Sequence, residues 1–193
     1  MKKSRFMGVL VSLLAVSCAD SGGPVGVDAQ WSLTCPDDVG CTTPMQTCLG
    51  QGNQRTIVGQ NGQGTCTDDP IIASCEAVER SDGTRLVFLE AHVSDRFGFE
   101  LRGATVDPGD GTREPAACVV TIMEGGDAYG GIEMLGACGE DPPSVDQPCQ
   151  LLNVETSGNE VAFDLNCASL LSGTTGFGFD VGATIHFSNC TGF

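Results

Sequence analysis

Two glutamates carry the most specific chemical suggestion in the chain. If LVFLEAHV and FGFELRG form neighbouring antiparallel strands joined at Ser94-Asp95-Arg96, Glu90 stands directly opposite Glu100 on one face, with His92 and Arg102 beside them. Facing carboxylates suit a cation site or an acid and base working on one bond. They also suit a solvated strand face on which Arg102, Arg85 or Arg96 relieves the repulsion. With 25 acidic residues in the chain, carboxylate pairs arise by chance, and the solvated face is the stronger expectation.

The acidic loops raise calcium, which takes about six to eight oxygen ligands. Asp107, Asp110 and Glu114 lie together in DPGDGTRE, and Asp37-Asp38, Asp68-Asp69 and Glu140-Asp141 with Asp146 offer further oxygens. None follows the spaced DxDxDG loop closed by a glutamate. Solvated turns are expected, no cofactor is implied, and calcium is the one ion this composition favours. The nucleophile motifs GxSxG, SxxK and HExxH are absent, and Lys occurs only at positions 2 and 3. A chain without its leader therefore has no Schiff-base lysine and no lysine for a GxxxxGK loop.

Eleven cysteines remain to be explained: Cys18, Cys35, Cys41, Cys48, Cys66, Cys75, Cys118, Cys138, Cys149, Cys167 and Cys190. No two form a CxxC, and only His92 and His186 could add imidazole ligands, which argues against zinc. Disulfides are the alternative, and an export route would permit them. Residues 1–18 read MKKSRFMGVLVSLLAVSC, with three cationic side chains, an apolar run of about ten residues too short to span a bilayer comfortably, then small residues.

This leader resembles that of bacterial lipoproteins, because Leu14-Ala15-Val16-Ser17-Cys18 is similar to the lipobox that ends in the lipidated cysteine. The resemblance implies a diacylglycerol and an amide-linked acyl chain on Cys18, more than the two hydrophobic signals that stable anchoring needs. It also implies outer-membrane sorting, to the periplasmic or the cell-surface face, since Ala19 rather than Asp follows. Parity agrees: with Cys18 acylated, the other ten cysteines can form five bridges. The expected bridge is Cys138 to Cys149, which would clamp the Pro-rich loop GEDPPSVDQP between them. Removing the leader leaves six Arg against 25 acids, a formal charge of minus 19, which excludes nucleic acid as a partner.

The elements that must position these residues read as strands. Residues 1–17 are signal peptide, residues 18–30 the lipidated cysteine and a flexible Gly-rich tether, and residues 31–70 a Cys-rich segment packed on a main domain at 71–193. From residue 71 the apolar residues alternate. Three-residue loops pair Ala77 with Val87, Cys75 with Leu89, Ala91 with Phe99 and Leu89 with Leu101, so that one face of a three-stranded meander is continuously apolar. Leu152 and Val154 face Val161, Phe163 and Leu165 across a Gly158-Asn159 turn, and Ser169 to Ser172 is the single helical turn expected. The fold class is all-β, an antiparallel, disulfide-stabilised β-sandwich of about eight strands, with a barrel as the alternative.

Trp31 and Tyr129 are the only members of their types, which argues against an aromatic sugar platform; Trp31 is expected to plug a sheet edge, and Phe177 and Phe179 to be buried in a strand. The sequence as a whole reads as a lipid-anchored binding or structural module of the cell envelope, without catalysis, whose partner is an envelope protein or surface component. A carboxylate-dependent hydrolase and a calcium-dependent adhesion module are the alternatives.

Overall fold

The structure, a computed structural model, describes residues 22–34, 45–47, 49–93, 97–107, 118–124, 132–139, 143–173 and 178–193. Twelve strands follow one another: β1 (Gly26–Thr34), β2 (Met45–Thr47), β3 (Gly50–Gly52), β4 (Gln54–Gln60), β5 (Ile71–Glu79), β6 (Arg85–Val93), β7 (Phe97–Val106), β8 (Val119–Glu124), β9 (Ile132–Ala137), β10 (Cys149–Ser157), β11 (Glu160–Ser172) and β12 (Gly178–Ser188). Among the described residues there is no helix. The cause is period two: in β5 and β12 alternate side chains are buried and exposed along nearly the whole strand.

The meander β5-β6-β7 has the expected register, with Ala77 opposite Val87, Cys75 opposite Leu89, Ala91 opposite Phe99 and Leu89 opposite Leu101. All twelve strands belong to one hydrogen-bonded antiparallel sheet; eleven follow the path β2-β3-β4-β1-β12-β11-β9-β8-β7-β6-β5, and β10 pairs with β11 off that path. The path divides at β11. Opposite the edge that β11 gives to β12, it pairs with β10 over Glu160–Cys167 and with β9 only at Leu171 and Ser172.

Two limbs therefore leave this corner, and they face one another. Trp31 in β1 and Phe97 in β7 have ring centroids 5.2 Å apart, and Phe99 meets Phe187 of β12 at 6.0 Å. In a flat sheet β1 and β7 would be five strand spacings apart, about 24 Å. Only a sheet folded over its apolar side brings those rings together. Trp31, Ile57, Leu170 and Phe187 from one limb and Leu89, Phe99, Leu101 and Ile122 from the other fill a single core. Each such side chain contributes roughly 1.5–3 kcal/mol through burial.

The carboxyl end closes the exposed edge of β5. Ala77 N–H donates to the Thr191 carbonyl at 2.8 Å, Thr191 N–H donates to the Cys75 carbonyl at 3.0 Å, and a disulfide joins Cys75 to Cys190. Gly192 continues past this point at φ +80°, where a Cβ would collide with the Ala77 carbonyl. Two further bridges join Cys118 to Cys138 and Cys149 to Cys167, and Cys66 is disulfide-bonded as well. The expected Cys138–Cys149 bridge is thus corrected. Those two residues are neighbours through backbone, with Gly139 N–H on the Cys149 carbonyl at 2.9 Å, while Cys149 is the register partner of Cys167. Cys18, Cys35, Cys41 and Cys48 lie outside the described residues.

Other expectations change too. The tether does not reach residue 30, because Val27, Ala29 and Trp31 alternate inward and make β1 an interior strand between β4 and β12. Trp31 is consequently a core residue and not an edge plug. The Cys-rich segment contributes β4 to the same sheet. Ser169 to Ser172 is strand: a bulge lies between Cys167 and Leu170, Ser169 takes φ 54°, and its N–H donates to Asp180 Oδ1 at 2.8 Å. A second bulge at Asn153 (φ 51°) turns Leu152 outward while Val154 stays buried. Phe179 is buried; Phe177 and Tyr129 lie outside the described residues.

Candidate functional site

Glu90 and Glu100 are opposite one another, as the register requires. Each has its own partner two residues along its strand. His92 Nε2 lies 2.7 Å from Glu90 Oε1, and Arg102 Nε–H donates to Glu100 Oε1. The hydrogen bond to Glu100, its negative charge, and the charge of Glu90 together raise the Arg102 guanidinium pKa above its usual value. Gly98, opposite His92, carries φ +153°; a Cβ there would run into the Ala91 carbonyl and the His92 backbone, so only glycine lets β7 approach β6 this closely. Each carboxylate thus has a partner on its own strand.

Of the calcium candidates, Asp107 is described, while Asp110, Glu114, Asp37, Asp38, Glu140 and Asp141 lie outside the described residues. Among the described residues, no three His, Cys, Asp or Glu side chains converge to hold a metal ion.

A buried ionic group that the sequence reading passed over lies between the limbs. Arg55 Nε–H donates to both carboxylate oxygens of Glu124, at 3.0 and 2.9 Å, and the Trp31 indole N–H donates to Glu124 Oε1 at 3.1 Å. Arg55 Nη1 also donates to the carbonyls of Gly52 and Gln54, at 2.7 and 3.2 Å. Both side chains are nearly enclosed, at 7% and 10% exposure. Burial pushes the Glu124 carboxyl pKa up, and the Arg55 charge, its hydrogen bond and that of Trp31 oppose the shift. The alternation contained the signal: Val120, Ile122 and Glu124 share one face, as do Arg55 and Ile57.

The outer face of the limb formed by β11, β12, β1 and β4 is polar. Asn166, Gly182, Ser32 and Gln54 form one row across β11, β12, β1 and β4. Asp164, Thr184, Gln30 and Thr56 form the next. All of these but Thr56 border a shallow trough of about 510 Å³. Asp164 accepts from Asn153 Nδ2 at 2.7 Å and from the Thr184 hydroxyl at 2.9 Å, which holds its carboxylate at one bank. Ser32 donates to the Gly182 carbonyl at 3.4 Å. The arrangement offers hydrogen-bond donors and acceptors along both rows.

No protein-family model, curated protein or solved structure matches this chain.

Proposed function

We propose that the chain is an exported, lipid-anchored binding or structural module of the cell envelope that works without catalysis. The observation that carries this reading is the state of the cysteines. All seven described ones are disulfide-bonded, and one bridge ties residues 115 positions apart, which accords with an oxidising compartment. An acylated Cys18 leaves the remaining ten thiols an even set. The hydrolase alternative draws no support from Glu90 and Glu100, each of which is held by a partner on its own strand. The polar trough suits binding, and the excess of acids keeps such a body soluble beside the membrane.

Acylation is the step to test. Cells fed an alkyne-bearing fatty acid are expected to label the wild-type chain, which sediments with membranes. The Cys18→Ser variant is expected to carry no label and to leave the membrane fraction. An unlabelled, freely soluble wild-type chain would overturn the anchoring.

A further inference from the structure

Gly182 sits in the interior of β12, where glycine weakens a strand by roughly 0.5–1 kcal/mol relative to residues with a side chain. Nothing in the fold requires it. Its φ is not among the positive ones, and an added Cβ would meet only the Ser32 hydroxyl, at an ordinary 3.6 Å. What Gly182 does is leave the floor of the trough open between Asn166 on one side and Ser32 and Gln54 on the other. Gln54 and Asn166 are exposed, and among the described residues their side-chain amides make no hydrogen bond. They stand three strand spacings apart, about 14 Å.

We infer that this trough binds a neutral, hydroxyl-rich chain, an uncharged glycan segment laid across β11, β12, β1 and β4. The inference rests on the binding-module reading and names its ligand class. Amides offer a donor and an acceptor together, and the hydroxyls of Ser32 and Thr184, whose protons go to the Gly182 carbonyl and to Asp164, keep lone pairs free to accept, which matches sugar hydroxyls. The lining holds no cation and does hold Asp164, and the whole chain carries minus 16, so an anionic polymer is repelled. An extended peptide is disfavoured for a different reason. Peptides on sheets take the backbone of an open edge or apolar pockets, whereas β1 and β12 have both edges paired and the trough wall is polar. Without an aromatic face for stacking, hydrogen bonds alone set the affinity, on the order of 0.1–1 mM for a short oligosaccharide.

The test uses the full-length lipoprotein in detergent micelles and saturation-transfer NMR, with cellohexaose, maltohexaose and chitohexaose as probes, hexagalacturonate as the anionic control and a capped, uncharged decapeptide as the peptide control. At least one neutral hexasaccharide is expected to bind, with the two controls silent. Gly182→Leu fills the floor and is expected to weaken that binding about tenfold or more while the melting temperature holds or rises. Asn166→Ala, an exposed change, is expected to weaken it without unfolding the chain. Silence from all three neutral sugars, binding of the peptide or of the uronate instead, or neutral binding unaffected by both variants would overturn the inference. Those results leave the acylation of Cys18 untouched, and a failure of anchoring in turn leaves the sugar titration intact, so the two ideas fail separately.

Discussion

Replacing Glu124 with Leu while Arg55 stays in place is expected to cost the fold about 3–5 kcal/mol, read as a fall in the urea midpoint. The loss comes from stranding a guanidinium that is 7% exposed. Trp31 would lose its indole acceptor at the same stroke. Changing both partners together, Arg55→Met with Glu124→Leu, is expected to recover most of the loss, because no charge is then left in the core. Equal damage from the single and double variants would show that the pair acts through packing alone.

The raised pKa of Glu124 gives this pair a pH signature of known sign. A carboxyl that binds its proton more tightly in the folded than in the unfolded chain favours folding where it is protonated. That contribution is fully present below the ordinary value of 4.5 and is lost as the pH rises through the folded-state value. Glu124→Gln cannot titrate. The stability difference, wild type minus Glu124→Gln, should therefore be most favourable to the wild type in acid and decline as the pH rises above 4.5. Subtracting the variant removes the titration of the other 24 acids common to both chains.

Removing the Cys75–Cys190 bridge by double alanine substitution is the second large effect expected. The bridge closes a separation of 115 residues, for which restriction of the unfolded chain is worth about 4–5 kcal/mol. Cys149–Cys167, with a separation of 18, should be worth about 3 kcal/mol. Calorimetry should rank the two double variants in that order. Hydrogen exchange adds a local readout, since the amides of Ala77 and Thr191, which zip the carboxyl end to β5, should lose protection in the first variant and keep it in the second. The reverse ranking would mean that local strand contacts outweigh loop closure.

What could be read ahead of the structure was whatever short loops and period two control together. The meander β5-β6-β7 is such a case up to the register shift between Val87 and Leu89: once the turns are placed, the side chains from there to the Ser94-Asp95-Arg96 loop have their faces, and Glu90 meets Glu100. The path of the sheet is another matter, because the partners of β1 lie in β4 and β12, the latter some 150 positions away, and no local rule selects them. β1 was obscured because its inward residues are small at the start, Val27 and Ala29 before Trp31, in a stretch dense with Gly and Asp. The bulges in β10 and β11 defeat alternation: Asn153 and Ser169 each enter the left-handed region, and the strand changes face there. Disulfide pairing failed for the related reason that sequence nearness joined Cys138 to Cys149, whereas register joins Cys149 to Cys167. The trough was invisible because Asn166, Ser32 and Gln54 each look like an ordinary solvated position until four strands bring them together.

The thiol count of the native, full-length protein tests the central claim most directly. Alkylation after unfolding without reductant, followed by intact mass, should add no label; after reduction it should add ten, the eleventh cysteine carrying lipid. Several labels before reduction, or eleven after it, would contradict a lipid-anchored body locked by its disulfides.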